Sequence, residues 1–285
     1  MDLESLLGAR PLAIAVVHLP NLRRVALERS VDKLLDYVER ECGVLSEAGF
    51  DGVVVENFND RPYPPRCGAP EVLGLISVAL HRAVKCFPGF VGLNILRCSP
   101  IESYRIAYSF GAQFIRINTL VETIATDSGV IEPSAPSLAE LRTLMPGVKV
   151  FADIVCKHSG SLDLALRAIA KMLETEDPRR ALAEALREIA LDAAERGCAD
   201  ALIVTGGRTG EPPSLEILKL VKEASRVPVI VGSGMDPQNV GKYLRHCDGV
   251  IVGSFIKVGG RAGNPTDPER ARRFIEAFRE GARAR

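Results

Sequence analysis

The chain has 285 residues, 47% of them hydrophobic, enough for a substantial core, and its 36 Lys and Arg balance 36 Asp and Glu. A formal net charge of zero excludes the broad attraction that draws basic proteins to nucleic acid or anionic lipid. The seven cysteines are scattered, without a Cys-x-x-Cys pair, which argues against a disulfide scaffold or zinc ribbon and suits reduced thiols.

At the start, MDLESLLGARP lacks the basic segment and apolar stretch of a secretion signal. No run of about 18 apolar residues follows anywhere, so a soluble, cytoplasmic protein is expected. Eight short runs rich in Val and Ile then recur: AIAVVHL (13–19), GVVVENF (52–58), FVGLNIL (90–96), FIRINTL (114–120), KVFADIV (149–155), ALIVTGG (201–207), PVIVGSG (228–234) and GVIVGSF (249–255). Gly, Pro or polar residues bound each run, as they bound strands buried on both faces.

Helical patterns with start signals lie between the runs. Ser30 precedes 31–49, Ser99-Pro100-Ile101-Glu102 has the form of a capping box, and Ser137-Leu138-Ala139-Glu140 repeats it. Ser214, Asp236-Pro237 and Asp267-Pro268 open later helices. Asp177-Pro178 opens another after a helical stretch at 162–175, so the fifth connection carries extra helical structure. Eight βα units without a linker predict an α/β fold, a single (β/α)8 TIM barrel over 1–285, with a doubly wound open sheet as the alternative. The Pro-rich RPYPPRCGAP (61–70) reads as a loop over the barrel mouth.

Reacting groups in such a barrel belong at the C-terminal strand ends. His18, Glu56 and Asp153 are the candidate acid/base residues, His18 and Asp153 on opposite sides of the mouth. A carboxylate inside FADIV is costly unless paired or used. Glu56 is either a second base or the partner of Arg116. Gly232, Ser233 and Gly234, with Gly253 and Ser254, read as a phosphate cradle after strands seven and eight, FIKV forming a short turn beside it. The alternative is that these glycines only make tight turns.

Asn94, Arg116, Asn118, Asp127 and Thr205 complete the polar rim. Lys157 neutralises a phosphate or carboxylate, or forms a Schiff base. His158 reaches the mouth, whereas His81 and His246 fall on helices. In TGGRTGEPPS (205–214), Arg208 is a candidate anion contact and Glu211 a proton acceptor, unless the segment is only a surface turn. No organic cofactor and no multi-histidine metal centre is expected. A divalent cation on Glu56, Asp127 or Asp153 stays open.

At these residues the chain resembles the BtpA family, through VVHLP (16–20), DGVVVENFNDRPY (51–63), VGLNILR (91–97), GAQFIRINT (111–119), TDSGVIE (126–132), FADIVCKHSG (151–160), ADALIVTGGRTGEPPS (199–214), VPVIVGSGMDPQNV (227–240) and DGVIVGSFIKVGG (248–260). The resemblance implies a phosphate-binding TIM barrel and, through a member implicated in photosystem I biogenesis, peripheral contact with a membrane complex. Ile154 and Cys156 depart from a more polar pattern, and Arg208 stands where a small residue is usual.

Two functions follow. One is an enzyme acting on a small phosphorylated sugar or nucleotide-derived metabolite, its class open among isomerase, epimerase, lyase and glycosyl transfer. The other is a non-enzymatic assembly or stability factor for a membrane complex such as photosystem I. A homo-oligomer is compatible with both.

Overall fold

In a computed structural model, which describes residues 3–285, all eight predicted strands form. They are Leu12–His18, Gly52–Glu56, Phe90–Asn94, Phe114–Ile117, Lys149–Ile154, Ala201–Val204, Val229–Val231 and Gly249–Val252. Neighbours pair in parallel, and the first strand pairs with both the second and the eighth, closing a TIM barrel. Met1 and Asp2, the start of the segment read for a secretion signal, lie outside the described residues.

Helices connect the strands on the outside, and the fifth connection carries the two expected, Leu162–Lys171 and Pro178–Leu191. Three start signals act differently from expectation. The hydroxyl of Ser99 accepts from Cys67 N at 2.9 Å instead of capping its own helix. Ser137 lies inside a helix that begins at Ala135 behind Ser134, because Pro136 already suits the first turn. Asp236 accepts from the N–H groups of Gln238 and Asn239 and closes only a turn, the helix beginning at Val240. That helix ends at Leu244, so His246 lies beyond it.

Alternate strand residues face inward and outward. The outward set packs under the helices in the larger core, with Val17, Val53, Val55 and Leu93 among its members. The inward set, including Ile14, Val16, Val54, Phe90, Phe114, Phe151, Ile203, Ile230 and Ile251, forms its own core, joined by Leu3 of the short helix Leu3–Leu6. Phe114 stacks on Phe151 at 4.5 Å and meets Phe90 edge-on at 6.0 Å. These rings occupy space that two glycines leave: a Cβ on Gly52 lies 2.0 Å from the Phe90 ring, and one on Gly92 lies 2.2 Å from Phe114. Counting on by two from the inward residues reaches His18, Glu56, Asn94, Arg116, Asn118, Asp153, Thr205, Gly232 and Gly253. The alternation that fills the barrel therefore also aims the site.

A three-stranded antiparallel sheet, Ile124–Thr126 between Gly129–Ile131 and Ser159–Ser161, ties the loop after the fourth barrel strand to the loop after the fifth. The sequence reading lacked it. Beneath it Cys98, Ile124, Ile131 and Cys156 form a small buried cluster. Leu162, Leu166, Ile169 and Leu173 make an outward apolar stripe along the extra helix and its end, 43%, 67%, 60% and 89% exposed. Among the described residues, no helix is long and apolar enough to cross a membrane.

Candidate active site at the barrel mouth

Strand register assembles the first three polar residues. His18 is the Cα partner of Glu56, and Glu56 of Asn94, so the side chains stand in a row on adjacent inward positions. Asn94 Nδ2 donates to Glu56 Oε2 at 2.7 Å, and Glu56 Oε1 lies 3.8 Å from His18 Nε2. His18 is buried against Phe58, ring centroids 4.5 Å apart, and its Nδ1 accepts the N–H of Gly263 at 3.1 Å. Burial pushes the imidazole well below its usual pKa, and the charges of Lys257, Lys157, Arg61 and Arg116 act in the same direction. His18 is thus neutral, with Nδ1 an acceptor and the proton on Nε2, beside Glu56.

Gly263 O accepts from Asn59 Nδ2 at 3.1 Å, and the loop that carries Gly263 is anchored on both sides by a buried polar knot. Lys257 Nζ donates to Glu41 Oε2 at 3.0 Å and to Thr266 Oγ1 at 2.8 Å, while Glu41 also accepts from Thr266 N and Thr266 Oγ1. With every partner satisfied, a buried ion pair serves to fix a loop.

Of the two roles open to a carboxylate inside FADIV, paired or used, Asp153 shows the pairing. It accepts from Arg116 Nε at 2.9 Å, Arg116 Nη2 at 3.0 Å and Asn118 Nδ2 at 3.0 Å. A carboxylate buried this deeply persists because donors surround it. Arg116 and Asn118 stand on the cavity wall, with Asp153 behind them. Asp153, and not Glu56, is therefore the partner of Arg116.

The mouth holds three adjoining spaces, with Phe58 and Thr209 on the wall of each. A floor of about 30 Å³ touches His18, Glu56, Arg116, Lys157, Gly232 and Gly253. One chamber, about 160 Å³, is walled by Glu56, Asn94, Arg97, Asn118, Lys157 and His158. The other, about 480 Å³, is walled by Gly234, Gly253, Ser254, Arg61, Arg261 and Arg270. Ser254–Ile256 forms a single 3-10 turn where the short turn was expected.

The glycines and Ser233 have packing duties as well. A Cβ on Gly234, whose φ is +72°, lies 2.0 Å from Pro212 N, and one on Gly232 lies 2.4 Å from Ile203 Cγ2. At Gly253 the nearest neighbour is the His18 ring, 3.4 Å away. The Ser233 hydroxyl donates to Glu211 O at 2.8 Å and accepts from Gly206 N at 2.9 Å, clamping the sixth and seventh loops together.

Arg208, Thr209 and Glu211 are all exposed, and Thr209 borders the floor of the mouth. Thr209 N donates to His158 Nε2 at 3.2 Å, joining the fifth and sixth loops. Burial lowers the His158 pKa, as do Lys157 and Arg97, while Asp127 opposes them. Thr205 Oγ1 accepts from Lys157 N at 3.0 Å. Burial also lowers the Lys157 pKa, and Arg116 adds to this against Glu56 and Asp153. Asp127 is 73% exposed, 3.8 Å from Arg97 Nε. Among the described residues no group of three or more His, Cys, Asp or Glu gathers as a metal site.

Sequence reasoning missed Phe58, Arg61, Tyr63, Arg97, Thr209 and Gly263. All but Gly263 lie just beyond strand ends, within ENFNDRPY, NILR and TGGRT. For all of these but Thr209, a cation or aromatic residue there was the available signal.

A family model described as BtpA family matches residues 9–177 and 167–280. An uncharacterized protein of Pyrococcus abyssi is 38% identical over 278 residues, covering 96% of this chain and 97% of its own. Photosystem I biogenesis protein BtpA of Synechocystis is 35% identical over 288 residues, covering 100% of this chain and 94% of its own. Among solved structures, (S)-3-O-geranylgeranylglyceryl phosphate synthase from Thermoplasma acidophilum, in complex with its substrate sn-glycerol-1-phosphate, superposes with a TM-score of 0.56 at 13% identity. The match covers 95% of this chain and 94% of that one, a likeness of fold.

Proposed function

Because the chain belongs to the BtpA family and gathers its ionisable groups at one end of a closed barrel, we propose that it is an enzyme acting on a small phosphorylated sugar or nucleotide-derived metabolite by acid/base chemistry. One observation carries this reading: Glu56 and a neutral His18, 3.8 Å apart, share a floor that has wall residues in common with both chambers. Glu56 takes a proton from carbon, and His18 donates from Nε2 to the neighbouring oxygen as charge develops there. The phosphate rests in the larger chamber against Gly234, Gly253 and Ser254, with Arg61, Arg261 and Arg270 supplying positive charge. The glycerol phosphate in the Thermoplasma synthase supports a phosphate site in such a barrel. Asp153 acts indirectly, by holding Arg116 and Asn118.

The test is thermal stability against phosphate esters, with unphosphorylated sugars as controls. A ligand at ~100 times its Kd stabilises the folded state by about 2.7 kcal/mol. Ser254→Asp places a carboxylate in the cradle without the backbone conflict that Gly234 carries. Stabilisation should require the phosphate and vanish in Ser254→Asp. No stabilisation by any ester, in folded protein, sinks the reading.

The apolar stripe favours a second reading, an assembly or stability factor that docks a partner, as the name of the Synechocystis relative suggests. A contiguous exposed apolar patch marks an interaction surface more often than chance. In that case Leu166→Glu with Ile169→Glu abolishes association with a membrane-complex partner while ester binding persists. Association that survives both changes excludes the stripe.

A further inference from the structure

Resting on the phosphate-ester reading, we infer that the substrate also carries a carboxylate beside a hydroxyl, both held in the smaller chamber beyond Glu56. Its wall includes four cations, Arg61, Arg97, Arg116 and Lys157, against the carboxylates of Glu56 and Asp127. Arg116 gives its Nε and Nη2 to Asp153 in a buried ion pair. Arg97 and Lys157 are not so engaged.

Arg97 is 5% exposed and gives Nη2 to the carbonyls of Lys157 and His158 at 2.9 and 3.1 Å. Its Nε–H is buried without an acceptor, Asp127 standing 3.8 Å off, beyond hydrogen-bonding distance. The Lys157 side chain borders both this chamber and the floor, and among the described residues its ammonium makes no ion pair or hydrogen bond. Two cationic side chains of this lining thus carry donors without acceptors, and an anion in the chamber supplies the missing charge.

Asn118 asks for the opposite. Its Nδ2 is committed to Asp153, which leaves Oδ1 a buried acceptor without a donor, on a residue 2% exposed. A substrate hydroxyl supplies that donor. The residues lining the chamber thus carry unmet donors and an unmet acceptor together, a pattern that suits a flat carboxylate flanked by a hydroxyl. A second phosphate without a neighbouring hydroxyl, acceptor on all sides, leaves Asn118 unmet. The ligand class is a phosphorylated hydroxy acid, such as a sugar-acid phosphate.

Calorimetric titration of matched pairs tests this: 3-phosphoglycerate against glycerol 3-phosphate, and 6-phosphogluconate against glucitol 6-phosphate, with inorganic phosphate as control. The carboxylate member of at least one pair should bind at least tenfold more tightly. Lys157→Met should bring that ratio toward one, and Lys157→Arg should restore part of it. Equal binding within both pairs, or a preference that survives Lys157→Met, overturns the inference and leaves the phosphate site standing. If no ester binds at all, the phosphate reading fails and the inference falls with it.

Discussion

Arg116 and Asp153 meet inside the barrel as a two-toothed ion pair, with distances of 2.9 and 3.0 Å and side chains 2% and 0% exposed. Burial alone favours a neutral guanidine, but the charge and hydrogen bonds of Asp153 reverse this and raise the Arg116 pKa. Removing one partner leaves the other charge stranded, which costs about 3–5 kcal/mol. Asp153→Asn should therefore shift the urea unfolding midpoint strongly, whatever it does to catalysis. An unchanged midpoint with lost turnover would instead return Asp153 to direct proton transfer.

His18 predicts a pH dependence. Its native pKa lies well below the ordinary 6.5, chiefly through burial. As pH falls through about 6.5, the unfolded chain gains a proton there that the folded protein refuses, so stability declines. The slope reaches at most about 1.4 kcal/mol per pH unit for one proton, down to the native pKa, and vanishes above about pH 7.5. His18→Gln, which still accepts from Gly263, should flatten this decline between pH 7 and 5. His158 shifts in the same direction but remains in both proteins, so the difference isolates His18. Identical slopes would mean that His18 charges freely.

All eight barrel strands were legible because each is a short Val- and Ile-rich run buried on both faces. The inward row was legible too, since strand ends carry His18, Glu56, Asn94 and Arg116 at fixed alternation. What sequence lacked was partner choice. Nothing local says that Asp153 is consumed by Arg116 and Asn118, or that Ser233 bonds to Gly206 and Glu211, because these partners stand on other strands or loops. The small antiparallel sheet escaped for a related reason: three-residue strands such as Gly129–Ile131 and Ser159–Ser161 have too few residues to show alternation.

Gly234 separates packing from ligand access. With φ at +72° and Pro212 N only 2.0 Å from where a Cβ would stand, an Ala there meets both backbone strain and a backbone clash. Gly234→Ala should lose about 1–3 kcal/mol or more in chemical denaturation, before any ligand is added. Ser254→Asp should leave unliganded stability nearly intact and remove only the ester-induced gain. Equal loss of unliganded stability in both would mean that the two loops fold as one unit and that neither variant reports on phosphate alone.

Glu56 is the residue on which the chemistry turns. In Glu56→Gln the amide oxygen still accepts from Asn94 Nδ2, so the row of His18, Glu56 and Asn94 keeps its packing while the base is lost. Loss of a positioned base lowers proton transfer by about 10²–10⁴-fold. The assay is uptake of deuterium from heavy water into carbon-bound positions of the ester that stabilises the protein most, read by mass spectrometry. Wild type should exchange and Glu56→Gln should not, with both proteins equally folded. Because Glu56 stands 3.8 Å from a neutral His18 that keeps its proton on Nε2, exchange in wild type should also depend on His18 as donor. Exchange that persists in Glu56→Gln would move the base to Lys157, whose amine faces the same floor and whose pKa burial already lowers.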